Sequence, residues 1–381
     1  MRIVQLLRKK KLVIATDNFL PRWDGVARFL VEVIAGLKEE YDITVLTANF
    51  KGHYDDPSIK IVRFPLRRFH VGDFPPAKPD KKMILDVVLT ADIVWVQTIG
   101  PIGAATIKTA KSLKKKVIAY NHSIEWELVP NAVGHYIFKR ALYEVTKLYS
   151  KKYYNMCSTL FVPTKEVSEK LSGQGIRSKK IVIPLGVDTE TFFPVGVKST
   201  AKLEIGIDPS FFVIGYVGRI GHEKDLKTLL RAYIRVRRDN KKVKLLIVGD
   251  GVESLKKSFL GKEGVILAGS KDNVVTYLHA MDVYVLPSLT ETTSLSTLEA
   301  MSCGIPIVVT RVGLAKEYII NGVNGFVFSK KDPYMLYKYI MMIMKDPSLA
   351  VKLGRNARTL VMDKFQWKNT VKRIKEELNK F

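Results

Sequence analysis

Short apolar runs and longer amphipathic stretches alternate along this chain in two rounds of the same pattern. In the first half, runs rich in Val, Ile and Leu stand at 12–16, 43–47, 61–63, 93–97, 117–120 and 159–162. They are short and nearly continuous in apolar residues, which predicts strands buried on both faces. Between them, apolar positions recur at helical spacing over 27–38, 104–113 and 138–156. The second half repeats the scheme, with strands expected at 212–217, 244–248, 265–268, 283–286, 307–310 and 325–328. Its helices are expected at 226–237, 275–280, 296–301, 333–345 and 350–365. Strands that alternate with helices pair in parallel through right-handed crossovers. The fold class is therefore α/β, with two doubly wound parallel-sheet domains. The stretch 186–208 holds Pro194, several Gly, Ser and Thr and little periodicity, and is the expected linker. The last stretch, 367–380, reads as a basic amphipathic helix.

The segment LPSLTETTSLSTLEAMSCGIPIVV (286–309) sets polar and acidic residues between two of these strand runs. Pro287 closes the first run. Leu295, Leu298 and Met301 recur at helical spacing, and Gly304 with Pro306 stops that helix. The order strand, polar loop, helix, strand aims the helix N-terminus at a crevice beside the strand ends. Backbone N–H groups converge there and favour an anion such as a phosphate. Glu291 falls in the loop and Glu299 in the helix's first turns, with seven residues between them. Two readings stand. Ser296 and Glu299 form an S-x-x-E capping box, in which Glu299 serves its own helix and Glu291 is solvated. Alternatively both carboxylates meet a ligand, since each accepts two hydrogen bonds from a diol.

Other chemistry clusters at turns. Arg219 and Lys224 stand five residues apart between a strand and a helix, so both side chains reach the same crevice; by residue type alone they are also two of 62 basic residues on a solvated turn. Asp24-Gly25-Val26 opens the helix 27–38, where a glycine either lets the backbone approach a phosphate or serves a tight turn. His122 follows the strand 117–120 in YNHSIEWE, beside Glu125 and Glu127.

At 381 residues the chain is too long for one typical core, and 47% hydrophobic residues suit a globular protein. No apolar run approaches the roughly 20 residues needed to cross a bilayer. The start, MRIVQLLRKKKLVIATDN, is basic with a short apolar run and lacks a small-residue cleavage site, so it is a poor signal peptide. Cys157 and Cys303 are the two cysteines, which excludes a disulfide framework or a cysteine-rich metal site and fits a reducing cytoplasm. The net charge of +25 is divided between residues 1–187 (+14) and 188–381 (+11). Such a field draws polyanions: nucleic acid, anionic lipid headgroups or phosphorylated substrates. Lysine-rich composition with only four Gln is also the mark of heat-adapted proteins. The stretch RFPLRRFHVGDFPPAKPDKK (63–82) interleaves basic and aromatic residues with four prolines. It excludes a long helix and suits either a solvated insertion or a loop that docks on an anionic membrane.

Four further motifs stand in order with 286–309: DNFLPRWDGVARFL (17–30), IPLGVD (183–188), VGRIGHEKDLKTLLRAY (217–233) and LLIVGDG (245–251). Together they resemble the retaining glycosyltransferase family 4, the group 1 glycosyl transferases of GT-B fold, in an archaeal, thermophile-like form. The resemblance covers nearly the full chain. It implies two Rossmann-like domains that face a central cleft. The corresponding boundaries are 1–187 for the acceptor side, 188–362 for the nucleotide-sugar side, and 363–381 for a C-terminal helix that crosses back to the first domain. It implies Arg219 and Lys224 on the diphosphate of a UDP- or GDP-linked hexose, with Gly25 and the amides of Ser294, Leu295 and Ser296 beside them. Glu291 would bind donor-sugar hydroxyls, Glu299 the nucleotide ribose, and His122 the transferred sugar, with catalytic roles for Glu291, His122, Arg219 and Lys224. Relatives commonly carry an aromatic and a glycine where this chain has Thr293 and Ser294, which predicts a sugar pocket of different shape. No cofactor and no metal are expected. The partners implied are the nucleotide sugar, a lipid or lipid-linked acceptor whose orientation Glu125 or Glu127 would assist, and an anionic membrane surface. The place of work is the cytoplasm, peripheral on the inner face of the cell membrane.

Within the same fold, the alternatives are a transferase with a soluble acceptor and a nucleotide-sugar epimerase. A basic nucleic-acid-binding protein would also explain the charge, yet no zinc finger, helix-turn-helix or aromatic RNA-binding strand is visible, and no nucleic acid is expected. A dinucleotide oxidoreductase needs G-x-G-x-x-G after its first strand, and 17–28 lacks it.

Overall fold

A computed structural model describes residues 8–70, 74–133 and 139–381. Part of the basic start (1–7), the tip of the proline-rich stretch (71–73) and residue 138 of the helix expected at 138–156 lie outside the described residues. The chain forms two compact units. The first comprises Met1–Trp126, Glu144–Ile183 and Thr370–Phe381; the second comprises Glu127–Tyr143 and Pro184–Asn369.

In the first unit seven strands form one parallel sheet: β1 (Lys10–Ala15), β2 (Tyr41–Ala48), β3 (Lys60–Phe64), β4 (Ile93–Val96), β5 (Val117–Tyr120), β6 (Thr159–Val162) and β7 (Lys179–Val182). Their order across the sheet is β3-β2-β1-β4-β5-β6-β7. The central strands are buried along their whole length, which is why their sequences read as continuous apolar runs rather than alternating ones. The order reverses between β1 and β4, and crossovers leave on either side of that point. A crevice therefore opens beyond the carboxyl ends of these strands, where open α/β sheets take ligands.

The second unit repeats this with six parallel strands: β8 (Phe212–Val217), β9 (Val243–Val248), β10 (Val265–Gly269), β11 (Val283–Leu286), β12 (Ile307–Thr310) and β13 (Phe326–Phe328). Their order is β10-β9-β8-β11-β12-β13, so the switch point lies between β8 and β11. The α/β class with two doubly wound parallel sheets holds.

Three local expectations change. The 186–208 stretch contains a helix, Lys198–Glu204, anchored by Lys202, whose Nζ lies 2.7 Å from Asp282 Oδ2 and 2.8 Å from the Phe211 carbonyl. The proline-rich stretch pairs locally, with Arg67 N–H on the Pro76 carbonyl at 2.8 Å and Lys78 N–H on the Pro65 carbonyl at 2.7 Å. A helix, Lys81–Thr90, begins at its end with Asp80 as N-cap. Arg63, counted among the membrane-facing charges, instead donates to the carbonyls of Leu20 (2.9 Å) and Tyr54 (3.0 Å).

Candidate functional site

Chemistry in the second unit gathers at the carboxyl ends of β8 and β11. After β8 the chain turns through Gly218–Gly221 into a single 3-10 turn, His222–Lys224, and then through Asp225 in the left-handed region into the helix Leu226–Asp239. That tight path carries Arg219 and Lys224 out on the crevice side. The LLIVGDG motif after β9 supports it from behind. A Cβ at Gly249 would lie 2.0 Å from the Gly218 carbonyl oxygen, and one at Gly251 2.2 Å from that of Ile220. Only glycine allows the two backbones to lie together. Ile220 N–H then bonds the Asp250 carbonyl at 2.8 Å, and Val252 N–H returns to Ile220 at 2.8 Å.

After β11 the loop of Glu291 approaches the same place. Lys224 Nζ lies 2.5 Å from Glu291 Oε1, and Ser288 Oγ donates to that oxygen at 2.8 Å. Leu289 N–H joins the two loops by donating to the Glu223 carbonyl at 2.7 Å. Arg219 is paired with the buried Glu223. On the other side of Glu291 lies a small pocket, lined by Glu291, Ser294, Thr297, Thr310 and Leu314 among others.

The helix Leu295–Ser302 starts as expected, but Ser294 caps it, accepting the Thr297 N–H on Oγ at 3.2 Å. Ser296 sits two residues past the cap and shares its hydroxyl with Tyr284 (2.8 Å) and Ser294 (3.1 Å). The capping box centred on Ser296 is thus not formed. Glu299 is the helix's fifth residue, beyond reach of an N-cap role, with its side chain buried. The amides of Leu295 and Ser296 occupy the first two helical positions, whose N–H groups have no acceptor within a helix.

In the first unit, Gly25 opens the helix Gly25–Leu37, and a Cβ on it would meet nothing within 4 Å. Asp24 caps that helix, taking the N–H groups of Val26 (3.0 Å) and Ala27 (2.9 Å) on its Oδ1. Those two amides are therefore engaged by a carboxylate. His122 is half-buried at the end of β5, stacked on Tyr120 at 4.4 Å and edge-on to Phe29 at 4.8 Å. Its Nε2 lies 2.9 Å from Gln97 Oε1, so with that oxygen as acceptor the proton sits on Nε2 and Nδ1 is the acceptor of the ring. Burial pushes its pKa down to about 3, which leaves it neutral near pH 7.

Glu125 receives the Tyr154 hydroxyl at 2.5 Å, and Asn121 Nδ2 reaches the same hydroxyl at 3.0 Å. Burial raises the Glu125 pKa to about 7, against the lowering effect of the Tyr154 bond. Glu127 goes elsewhere. It belongs to the second unit and accepts from Thr290 Oγ1, next to Glu291, at 3.1 Å. Arg219, Lys224 and Glu291 are thus brought together with the N-terminus of the Ser294–Ser296 helix, while Gly25 and His122 line strand ends in the first unit. Sequence reasoning missed Glu223, Ser288 and Gln97. Glu223 precedes Lys224 in VGRIGHEKDLKTLLRAY, but an acidic residue on a turn gives no sign of burial; the other two carry no signal beyond their position after a strand.

Two doubly wound parallel sheets in one chain, the second with cations and carboxylates at its switch point, are the architecture of GT-B transferases. The family model described as Glycosyl transferases group 1 matches residues 198–360, and that of Glycosyltransferase Family 4 matches residues 23–191. The chain belongs to this family of glycosyltransferases. It is 25% identical to the alpha-monoglucosyldiacylglycerol synthase of Acholeplasma laidlawii over 91% of each chain. It is also 25% identical to a GDP-mannose-dependent alpha-(1-6)-phosphatidylinositol monomannoside mannosyltransferase of Mycolicibacterium smegmatis, over 97% of this chain and 98% of that one. Among solved structures it resembles Anabaena Alr3699/HepE in complex with UDP-glucose, with a TM-score of 0.79 and 18% identity over 97% of this chain and all of that one. These likenesses carry the GT-B fold.

Proposed function

We propose that this glycosyltransferase moves a hexose from a UDP- or GDP-sugar, with retention and without a metal, to a hydroxyl of a membrane lipid or lipid-linked glycan. The observation that carries the reading is the meeting of Arg219, Lys224 and Glu291 at the strand ends beside the helix N-terminus after Ser294. Breaking the bond from the sugar C1 to the diphosphate builds negative charge on the leaving group. Two fixed cations and helix amides supply what that charge needs. Glu291 takes sugar hydroxyls and Glu299 the ribose. With leaving group and acceptor on the same face, the nearest base for the acceptor proton is the departing phosphate oxygen, so paired carboxylates of the glycosidase kind are not required.

The lipid acceptor is supported by the names of the two relatives, a synthase of alpha-monoglucosyldiacylglycerol and a mannosyltransferase of phosphatidylinositol monomannoside. Among the described residues no helix is long and apolar enough to cross a membrane. A peripheral attachment at the inner face is supported by the +25 charge and by exposed Arg67, Arg68, Phe69, Lys81 and Lys82. Val145 and Leu148 add exposed apolar area beside Lys151 and Lys152.

The deciding experiment incubates the protein with UDP-, GDP- and ADP-sugars, with and without vesicles that contain diacylglycerol or phosphatidylinositol. One UDP- or GDP-sugar should be consumed, faster with vesicles, with its anomeric configuration kept in the product and with EDTA lacking effect. Consumption of none would overturn the reading. Loss of activity in EDTA with recovery on Mg²⁺ would remove the metal-free part, and preference for a soluble sugar would select the soluble acceptor.

A further inference from the structure

Glu223 is 1% exposed, while a third of the Arg219 side chain it pairs with remains open. Among the described residues its carboxylate bonds only Arg219, its Oε2 having no hydrogen-bond partner. A buried carboxylate with one partner is weak support for stability, because apolar side chains of like volume usually do as well. The local sequence nevertheless makes room for it. Gly221 has an extended backbone, φ −127°, open to any residue, yet a Cβ there would lie 2.5 Å from both Glu223 carboxylate oxygens. Glycine at 221 clears space for a side chain, not for a turn. Arg219 is held at its other end too, since Tyr216 Oη donates to its carbonyl at 2.7 Å. The backbone carbonyl of Glu223, not its side chain, accepts Leu289 N–H from the Glu291 loop at 2.7 Å.

We propose that Glu223 is a positioning residue for the donor reaction, gripping the Arg219 guanidinium from inside the protein so that its remaining donors face the diphosphate in one fixed orientation. This rests on the assignment of Arg219 to the diphosphate made above. A guanidinium carries five N–H donors in a rigid fork. Holding one edge on Glu223 fixes the plane of the fork, and the side chain keeps little freedom to lose when charge develops. Without the grip, Arg219 still attracts the ground-state nucleotide, but it no longer sits where the leaving group needs it.

The test measures kcat and KM on whichever of UDP-glucose, UDP-N-acetylglucosamine and GDP-mannose the wild type turns over fastest, together with UDP and GDP affinity. Glu223→Ala should lower kcat by about 10²-fold, while donor KM and nucleotide affinity move by less than about threefold. Glu223→Gln, whose amide oxygen still accepts from the guanidinium, should recover most of the rate. Gly221→Ala, which crowds the carboxylate without altering its charge, should reproduce the loss and serves if Glu223→Ala fails to fold. In the Arg219→Ala background, Glu223→Ala should lower kcat no further, because residues that act as one unit are not additive. Losses that multiply in the double variant, or a fall in thermal stability with kcat unchanged, overturn the positioning role. A crippled Arg219→Ala beside an active Glu223→Ala overturns it alone, whereas a fully active Arg219→Ala takes away the assignment beneath it.

Discussion

Lys224 and Glu291 satisfy each other at 2.5 Å, although the proposed function assigns them to different parts of one donor, diphosphate and sugar. On that proposal a donor must part them. Removing Glu291 therefore leaves Lys224 free for a phosphate, and Glu291→Ala should bind UDP or GDP at least as well as wild type while sugar transfer falls. Glu299→Ala should lose nucleotide affinity instead. Titration calorimetry with both nucleotides distinguishes them, and equal losses would sink the division of roles. Arg219→Ala and Lys224→Ala should each raise the barrier to turnover by about 3–4 kcal/mol, the scale of one electrostatic stabiliser. In the first unit two buried groups pull stability in opposite directions with pH. His122, depressed from 6.5 to about 3, contributes stability that is present above pH 6.5 and lost as acid is added. Glu125, raised from 4.5 to about 7, contributes stability that is present below pH 4.5 and lost as pH rises through 7. Glu125→Gln removes only the second. Its stability relative to wild type should improve between pH 5 and pH 7.5 in urea titrations, and parallel curves would contradict the burial argument.

Five strands were legible to the residue. β5, β6, β8, β11 and β12 fall where their apolar runs predict, because no polar position interrupts a central parallel strand. β7 was not legible: it is an edge strand, and its sequence KKIV opens with two lysines. The helix Lys81–Thr90 hid behind the prolines before it, and Lys198–Glu204 is too short to show a period. At the site, Arg219, Lys224 and Glu291 could be read from motif and spacing. Burial of Glu223 could not, since an acidic residue on a turn reads as solvated until its arginine is placed. The Ser296 capping box failed for a related reason: with serines at both 294 and 296, the earlier one took the cap. The helix Lys198–Glu204 also carries a prediction. Lys202 joins it to Asp282 at the start of β11, nearly out of solvent. Lys202→Ala leaves that carboxylate the Val213 N–H, at 2.8 Å, and should cost about 2 kcal/mol of stability, measured by denaturant titration. A loss within error of zero would mean that Lys198, 3.8 Å from Asp282, takes over.

Across the whole molecule the +25 charge has two explanations with different salt behaviour. If it serves a membrane, the protein should sediment with anionic vesicles, ignore neutral ones and come off as salt rises, because screening shortens the field to about 8 Å at physiological ionic strength. Neutralising Arg67, Arg68, Lys81 and Lys82 together should weaken vesicle binding by about 1 kcal/mol per charge that faces the lipid. Arg63 is left out because it holds two backbone carbonyls. UDP and GDP affinity should not change, as none of these four residues is among the contacts proposed for the nucleotide. A wild type that ignores anionic vesicles would leave heat adaptation as the account of the charge.

The C-terminal helix, Trp367–Leu378, has a consequence for the order of events in synthesis. Its residues from Thr370 on belong to the first unit, where Ile374 and Leu378 are fully buried. Lys375 pairs with Glu40 at 2.6 Å, and Tyr41 Oη donates to Asn379 Oδ1 at 2.7 Å. The unit whose strands are made first is thus finished by a helix made only after the strands of the second unit. Until then its core stands open where that helix belongs, and a chain cut at residue 366 would keep it open for good.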